Sequence, residues 1–583
     1  MNYKLTNHDI AKLLYEMAER LSMNNVPFKP RAYEKAARSI ESFGDSIAAL
    51  YKKGGKAALK NIPGVGEGIA DRIAEHFDTG RIKDYDKLKQ KIPVDVAELT
   101  SVEGVGPKMI KALYQALQIK NLKDLEGAAR AGRIANLPRF GKRLQEKILR
   151  GIEFQKSSSG RLRLGEALPY ARAIIERLRA SGLAEQITVA GSALRWQETV
   201  GDIDILATSK QPEELIDTFT KLPEVKAVIA KGPTKAEVRL RIGIDADLRV
   251  VSKESFGAAV QYFAGDKNHN VATRMVAQKK GYKLNEYGLF KGKKKIAGED
   301  EKEIYQKLGM DWIPYELRRN DGEIEAAQKN MLPRLVGFGD ILGDLQTQTD
   351  WTDGEHSMEE MAREAARLER EYIAITDHTR ALAMTGGADE KKLERQIKAI
   401  DRLNAKLHRD GIRVAVLKGA EVNILKDGKL DIRDETLEQL DVVGVAVHSL
   451  FHLPEKEQTE RIIRAMENPH VDILFHPTGR VINRRPPYAL DMDAIFKAAA
   501  RTGTILEIDA HPWRLDLKDD HIRRAREYGC KFVIDTDAHR ISELAYMEYG
   551  IGQARRGWLE KKDVLNTLPL KEFLACLRQK TPG

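Results

Sequence analysis

The segment DIDILAT, residues 202–208, constrains the fold of this 583-residue chain more than any other. Charged and apolar residues alternate in it, which predicts a strand that directs Asp202 and Asp204 to one face. A second such strand, IDADLRVV at 244–251, supplies Asp247. Three carboxylates on neighbouring strands form a site for hard divalent cations, and two such cations serve in-line phosphoryl displacement. The alternative is that Asp202 and Asp204 only end a strand at a surface turn.

A glycine–serine pair precedes this strand within AGSALRWQETVGDIDILAT, residues 190–208. A turn at Gly191 and Ser192 offers backbone groups that can hold phosphate oxygens. The motif resembles that of the nucleotidyltransferases and, among them, the family X DNA polymerases, the relatives of DNA polymerase beta. The resemblance extends in order over about residues 1–320.

This resemblance implies a role for each carboxylate. Asp202 and Asp204 bind both metal ions, Mg²⁺ or Mn²⁺, and Asp247 binds the catalytic ion and helps to activate the primer 3′-hydroxyl. The positions that match contacts to the incoming triphosphate are Arg161, Gly191, Ser192, Arg195 and Gly201. Relatives often have two adjacent arginines after the glycine–serine pair, whereas this chain has Leu194 before its arginine.

The segment YFAGDKNHNVATR, which begins at Tyr262, resembles the nucleotide-binding segment of the same family. Tyr262, Phe263 and Gly265 match the turn that packs against the sugar and excludes a ribose 2′-hydroxyl. Asn270 matches a minor-groove contact to the new base, and Arg274 matches a contact to the template strand. In isolation the two aromatic residues would indicate only packing in a hydrophobic core.

An internal repeat lies in the first third of the chain. IPGVGEGIADRI (62–73) and VEGVGPKMIKAL (102–113) share a Gly-Val-Gly turn before a helix, and LPRFGKRLQEKI (137–148) is a weaker third copy. Such turns bring backbone N–H groups to phosphate oxygens at a helix N-terminus. This is the helix–hairpin–helix form, which grips a DNA backbone without reading bases. The glycines expected to do so are Gly64, Gly66, Gly104 and Gly106.

The net charge of +10 is concentrated in this region. Residues 1–160 hold 29 Lys and Arg against 19 Asp and Glu, whereas the remainder holds 68 of each. The surplus indicates a nucleic-acid partner, although a solvated basic surface gives the same composition. The N-terminus lacks the apolar stretch of a signal peptide, no run reaches about 18 apolar residues, and the two cysteines lie outside CxxC patterns. We therefore expect a cytoplasmic protein without a membrane span.

The N-terminal region also resembles the small domain that binds a 5′-phosphate at a gap. Lys35 and Lys60 match basic residues of that pocket. In relatives that remove an abasic sugar, a lysine in the helix after the first Gly-Val-Gly turn forms a Schiff base, and here that position is Arg72. Arginine stays protonated and cannot form the imine, so β-elimination lyase activity is expected to be weak or absent.

Short apolar strands alternate with helices from about residue 340, and several of these strands end in His, Asp or Glu. This alternation predicts a parallel βα architecture, in which barrel folds place their chemistry at the strand C-termini. Imidazole and carboxylate groups there suit Mn²⁺, Zn²⁺ or Fe²⁺. The candidate ligands are Asp353, His378, Glu421, His448, His476, Asp537 and His539.

Residues 338–575 resemble the polymerase-and-histidinol-phosphatase (PHP) domain, a distorted βα barrel with a trinuclear metal centre. Bacterial and some archaeal family X polymerases carry it, often with 3′–5′ exonuclease or abasic-site endonuclease activity. Relatives begin it with two histidines as LHxHT, whereas this chain reads LQTQT, with Gln346 and Gln348. One metal position therefore loses two strong donors. Both an impaired and an active phosphoesterase stay open, since His452 and His511 lie nearby in sequence.

The expected fold class is multidomain α/β, with helical N-terminal domains, an α+β nucleotidyltransferase palm with a thumb, and a C-terminal distorted βα barrel. The expected domains are a small DNA-binding helical domain at 1–85, a fingers-like helical domain at 86–158, the palm at 159–252, the thumb at 253–318, a linker at 319–337 and the PHP domain at 338–583.

We expect a monomeric DNA polymerase that adds dNTPs to a primer on gapped or primer-template DNA during repair of the base-excision type. Three alternatives have distinct signatures. A repair nuclease led by the PHP domain would need its full metal centre, and a DNA-end scaffold would not need three clustered carboxylates. A non-templated nucleotidyltransferase would not need the helix–hairpin–helix pair, Asn270 or Arg274.

Overall fold

The computed structural model describes residues 7–24, 26–41, 47–62, 64–100, 102, 105–138, 140–158, 160–382 and 385–578. Internal contacts divide the chain into two compact units. The first unit is Met1–Ser159 together with Asn483–Arg485, and the second is Gly160–Ile482 together with Pro486–Gly583. Among the described helices, none combines the length and the apolar character that crossing a membrane requires.

The first unit contains helices and no strands across the residues described. Two hydrophobic clusters hold it together, one that includes Leu14 and Ile73 and another that includes Leu99 and Ile148. Its helices are Asn7–Met23, Lys29–Glu41, Ile47–Leu59, Glu67–Thr79, Lys83–Lys91, Val96–Thr100, Pro107–Leu117, Leu122–Arg130 and Gly141–Ser158.

The second unit begins with a five-stranded sheet, here called the palm region. The strands of the predicted carboxylates run parallel and adjacent, and their register places Asp204 opposite Asp247. Ile203 and Ile205 pack into the hydrophobic core, so the alternating Asp202 and Asp204 face the other way. The palm region comprises residues 160–252, with the strands Gln186–Val189, Asp202–Thr208, Asp245–Val250, Lys235–Leu240 and Val225–Lys231 in sheet order, the strand pair Leu162–Arg163 and Thr199–Val200, and the helices Leu164–Ala180, Gly191–Leu194 and Pro212–Thr220.

A smaller part, here called the thumb region, follows as residues 253–318. It combines a three-stranded antiparallel sheet with helices around a core that includes Ile304. The segment predicted as a linker contains the helix Glu323–Gln328, whose Ile324 and Ala327 lie on one face and are buried in this core. The other elements are the helices Phe256–Ala264, Lys267–Lys279 and Glu301–Lys307, the 3₁₀ turns Lys253–Ser255 and Tyr315–Leu317, and the strands Lys283–Asn285, Gly288–Lys291 and Lys294–Ala297.

Seven parallel strands form the C-terminal part, and a parallel bridge between Thr347 and Ala538 joins the first strand to the last. This closure confirms the predicted βα barrel. The strands are Gly343–Thr347, Tyr372–Ile375, Ala415–Asn423, Val442–Ala446, Ile473–Leu474, Ile505–Asp509 and Phe532–Asp535. The helices are Met358–Arg367, Glu390–Arg409, Asp434–Leu437, Glu455–Met466, Met492–Thr502, Asp519–Glu527, Met547–Arg556 and Leu570–Arg578, with 3₁₀ turns at Ile541–Tyr546, Lys561–Asp563 and Leu565–Thr567.

Candidate active sites

Three carboxylates meet on the sheet of the palm region. Asp202 and Asp204 lie two residues apart on one strand, and Asp247 lies opposite Asp204 on the next. Burial raises the pKa of Asp204 to about 6, and the charges of Asp202 and Asp247 add to the rise. Lys235 places its Nζ 3.2 Å from Asp247 Oδ1. Carboxylates that repel one another in this way fit divalent cations, which would remove the repulsion.

The glycine–serine turn lies against this cluster. Gly191 has φ 63°, and a Cβ atom there would lie 2.1 Å from Asp204 Oδ2, so a side chain does not fit. The hydroxyl oxygen of Ser192 is buried and has no hydrogen-bond partner among the described residues. Because buried polar atoms are normally paired, this hydroxyl is a group that a ligand would satisfy.

Two arginines flank the turn. Arg195 donates from Nη1 to Ala264 O at 2.9 Å. Burial lowers the pKa of Arg195 to about 10, so its guanidinium stays positively charged at neutral pH. Arg161 donates to Thr199 Oγ1 at 3.0 Å, and its Nη1 lies 3.0 Å from the place of a Cβ on Gly201. Both arginines therefore bring positive charge beside the carboxylates.

The segment that begins at Tyr262 forms the junction between two helices. The rings of Tyr262 and Phe263 meet edge to face with centroids 5.0 Å apart. Asn270 donates from Nδ2 to Tyr262 O at 2.6 Å, and a Cβ on Gly265 would lie 2.6 Å from Asn270 Oδ1. Arg274 donates from Nε to Asn270 O at 3.1 Å. The structure thus brings these five predicted residues together at one helix junction.

Sequence reasoning missed two residues of this region. Arg249 follows Asp247 by two positions on the same strand, and its guanidinium lies 4.8 Å from the ring centroid of Phe263. The alternation along the strand could have revealed Arg249, because it places this residue on the same face as Asp247. His269 is buried, and its Nδ1 lies 2.7 Å from Glu323 Oε1. No local pattern reveals that contact, because the two residues are far apart in the chain.

Two helix–hairpin–helix turns lie in the first unit. Gly66 and Gly106 each precede a helix in an extended conformation, and neither caps its helix with a side chain. Backbone N–H groups at both helix starts can therefore meet an anion. Gly64 has φ 77°, and a Cβ there would lie 2.9 Å from Cγ of the exposed Lys35. Gly104 lies outside the described residues.

Basic residues of the first turn are paired with acids. Lys60 forms an ion pair with Glu67, the first residue of the helix that follows the turn. Arg72 pairs with Asp84 and also donates to Gly68 O. Lys60 therefore lies beside a helix N-terminus with its charge paired to Glu67, whereas Arg72 offers no amine for imine formation.

Two groups of potential metal ligands meet at the ends of the barrel strands. Asp353, His378 and His539 form the first group, and His378, Glu421 and His448 form the second. Within each group the ligand atoms lie within 4.8 Å of one another. Imidazole and carboxylate ligands at these separations fit divalent ions. A neutral His378 has one free lone pair and would bind one ion, which leaves Glu421, His448 and the neighbouring His476 for a second.

Glu421 is the centre of the second group. Its Oε1 lies 2.9 Å from Nε2 of both His448 and His476, and its Oε2 lies 3.3 Å from His378 Nδ1. Gln348 donates to the same Oε2 from Nε2 at 3.0 Å. Although burial raises the pKa of Glu421, the histidines outweigh it and hold the pKa well below its usual range. Burial lowers the pKa of His476 to about 3, so its ring is neutral, as a metal ligand must be.

The third metal position of the PHP domain does not fit. Gln346 and Gln348 are fully buried, and both side-chain polar atoms of Gln346 lack a hydrogen-bond partner within the described chain. Arg514 lies nearby in the barrel, with Nε 3.4 Å from Asp509 Oδ2 and 3.5 Å from Asp537 Oδ2. Arg514 therefore lies beside Asp537, which the sequence predicts as a metal ligand. Neither Asp509 nor Arg514 was identified from the sequence.

The two further histidines near this centre do not compensate. Among the described residues, neither His452 nor His511 belongs to either ligand group. His511 instead places its Nε2 3.9 Å from Glu543 Oε1, and its ring meets that of Tyr546 edge to face. Among the described residues the candidate ligands form two groups, and neither Gln346 nor Gln348 belongs to them.

Comparisons with known proteins agree with both parts of the chain. A helix-hairpin-helix domain matches residues 5–82, a SAM-like helix-hairpin-helix tandem matches 96–153, and the DNA polymerase beta thumb matches 259–319. This chain is 28% identical over 260 residues to a protein of Thermoanaerobacter sp. (strain X514) named "Probable phosphatase", covering 41% of this chain and 97% of that protein. A protein of the same description from Caldanaerobacter subterraneus is 26% identical over 242 residues, covering 38% and 87%.

One relative matches along the whole chain. It is the "DNA polymerase/3'-5' exonuclease PolX" of Bacillus subtilis (strain 168), which is 35% identical over 579 residues, or 98% of this chain and 99% of the relative. The match covers almost the whole of this chain, both the palm region and the barrel. The chain therefore belongs to the family X DNA polymerases, in the group that carries a C-terminal PHP domain.

Proposed function

We propose that this protein is a template-directed DNA polymerase that adds dNTPs to a primer 3′-hydroxyl and fills short gaps during DNA repair. The observation that carries the proposal is the register that sets Asp204 opposite Asp247, with Asp202 beside them and the glycine–serine turn packed against Asp204. The reaction needs carboxylates next to a triphosphate-binding turn, because the primer 3′-hydroxyl attacks the triphosphate in line.

The side chains of the site would have separate roles in the reaction. Mg²⁺ or Mn²⁺ ions held by the three carboxylates would supply charge stabilisation for the attacking and leaving oxygens. Asp247 would orient the primer hydroxyl and accept its proton. The free hydroxyl of Ser192 and the guanidinium of Arg195 would hold the triphosphate, and Arg161 would add a further positive charge.

Two other features adapt the site to DNA. The turn at Tyr262, Phe263 and Gly265 would pack against the sugar and exclude a ribose 2′-hydroxyl, which would favour dNTPs. The helix starts at Gly66 and Gly106 would hold the phosphate backbone on either side of a gap, without preference for sequence.

Primer extension tests the proposal. The full-length protein with Mg²⁺ or Mn²⁺ and dNTPs should add one nucleotide to a 5′-labelled primer on a one-nucleotide-gapped duplex. Asp247→Ala should abolish the addition. Asp217→Asn is a matched control, because Asp217 lies in the same region but pairs with Lys231 on the exposed surface. No extension by the unchanged protein under any metal would refute the polymerase proposal.

A second activity is favoured by the paired ligand groups of the barrel. They support a phosphoesterase with two metal ions, for which the relative in Bacillus subtilis provides the precedent of a 3′–5′ exonuclease. The loss of two ligands at Gln346 and Gln348 predicts that this activity is weak. Shortening of the labelled primer in the absence of dNTPs measures it, and shortening as fast as extension would show that two ions suffice.

A further inference from the structure

The barrel helix Met547–Arg556 lies against the glycine–serine turn of the palm region. Tyr549, Gly552 and Arg556 follow one another at spacings of three and four residues, so they lie on one face of the helix. On the other side, a Cβ on Gly550 would lie 2.5 Å from Ile534 Cγ2 of a barrel strand. The helix is therefore packed between the barrel core and the palm region.

Trp196, the second residue after the short helix of the turn, is held by this face. It has φ 53°, a left-handed conformation that is unfavourable for a bulky residue. A Cβ on Gly552 would lie 2.6 Å from Trp196 Cε3, so the indole lies directly on the helix backbone. The ring centroids of Phe338 and Tyr549 lie 5.0 Å and 6.1 Å from that of Trp196. The surrounding residues thus maintain the unfavourable backbone conformation.

Arg556 holds the residues on both sides of Trp196. Only 5% of Arg556 is exposed, and its Nη1 donates to Arg195 O at 3.0 Å. The side-chain amide of Gln197 is oriented with its oxygen towards Arg556. Gln197 Oε1 then accepts from Nη1 and Nη2 of Arg556 at 3.1 Å each. Asp519 pairs with the same guanidinium and fixes its position.

These contacts continue into the triphosphate-binding turn. The backbone N–H of Arg195 donates to Gly191 O at 3.4 Å, and that of Gln197 donates to Ser192 O at 3.1 Å. A movement of Arg195 or Gln197 would therefore move the glycine–serine pair, which is packed against Asp204.

We propose that Arg556 and Gly552 of the PHP domain are positioning residues for the polymerase reaction, because they fix the turn that binds the incoming triphosphate. The proposal rests on the polymerase function proposed above. The barrel would then be a structural part of the dNTP site, whatever its own hydrolytic activity.

Steady-state gap filling by the full-length protein tests this. Arg556→Lys keeps the charge beside Asp519 but cannot provide the two-pronged contact to Arg195 O and Gln197. Gly552→Ala keeps all charges and displaces Trp196. Each should raise the KM for dNTP roughly tenfold, the equivalent of one charge-assisted hydrogen bond, with a smaller change in kcat. Arg172→Gln is the control, because the pair between Arg172 and Glu548 joins the same helix to the palm region away from the turn.

An unchanged KM in both variants would overturn the proposal, as would an equal rise in the control. The metal content of the barrel and the melting temperature show whether a variant is folded, and if one variant unfolds the other decides. Extension by the unchanged protein is the separate test of the polymerase function. A protein that extends primers but whose variants keep their KM would refute only the role of the helix.

Discussion

The two ligand clusters of this chain balance their charges in different ways. In the palm region, burial and two neighbouring carboxylates raise the pKa of Asp204 to about 6. In the barrel, three histidines surround Glu421 and hold its pKa well below the usual range, although burial opposes them. The first cluster needs cations to remove its repulsion, whereas in the second His476 and Gln348 lie within hydrogen-bond distance of the buried carboxylate of Glu421. A carboxylate cluster of the first kind depends on added ions, whereas the barrel cluster has partners for its carboxylate, Gln348 among them, without any ion.

The largest expected effect separates the two sites. Asp204→Asn should lower gap filling by roughly a thousandfold or more, because it removes a ligand to both cations, and it should leave the metal content of the barrel unchanged. His378→Ala should remove bound metal ions from the barrel and abolish any primer shortening. Gap filling should be retained. Extension assays and elemental analysis of both variants measure this. Loss of both activities in either variant would mean that the sites are not independent.

Restoring the two histidines sharpens the comparison. Gln346→His combined with Gln348→His should raise the tightly bound metal from about two to about three ions per chain, because imidazole is the stronger donor. Primer shortening should rise roughly tenfold with it. Gln439→His, in the exposed turn after the helix Asp434–Leu437, is the matched control. If the unchanged protein already holds three ions, the two-ion account of the barrel is wrong.

The pH dependence of stability tests the charge difference. Because the folded-state pKa of Asp204, about 6, exceeds its usual value of 3.8, folding disfavours the charged form. In the metal-free protein, Asp204→Asn should therefore raise the unfolding free energy by about 1–2 kcal/mol above pH 7. The gain should shrink as the pH falls through about 6 and vanish below about 4. Urea unfolding with a chelator measures it.

Glu421→Gln should change the unfolding free energy in the opposite direction in the same experiment. Its folded-state pKa is depressed, so the charged form is favoured by folding, and the substitution should destabilise the metal-free protein at neutral pH. Stabilisation by this change would contradict the view that the partners of Glu421 favour its charged form.

The smallest expected effect concerns the first unit. Borohydride should trap no covalent adduct between the unchanged protein and an abasic site at a gap, because Arg72 has no nucleophilic amine. Arg72→Lys should produce a weak adduct, limited by the pairing of this position with Asp84. A strong adduct in the unchanged protein would point to another lysine, and Lys29→Ala and Lys87→Ala would test two that line the same cavity as Arg72.

Local patterns predicted much of the fold and of both sites. Alternation along a strand predicted the shared face of Asp202 and Asp204, and ligands at strand ends predicted the groups around His378 and Glu421. The first prediction depends on residues close in sequence, and the second depends on the regular alternation of strands and helices.

Contacts between distant segments were not predictable in the same way. The pairing of His269 with Glu323, the reach of Arg514 to Asp537, and the packing of Gly552 on Trp196 depend on tertiary structure. The helix Glu323–Gln328 was taken for a linker because its polar residues outnumber the two apolar ones that are buried.

The most direct measurement compares primer extension with primer shortening in one reaction series. A 5′-labelled primer on a one-nucleotide-gapped duplex is incubated with the full-length protein and Mn²⁺, with and without dNTPs. We predict rapid addition of one nucleotide with dNTPs and slow shortening without them, since the carboxylate cluster of the palm region is complete and the barrel centre lacks one metal position. Rapid shortening without extension would contradict the account and identify the barrel as the principal active site.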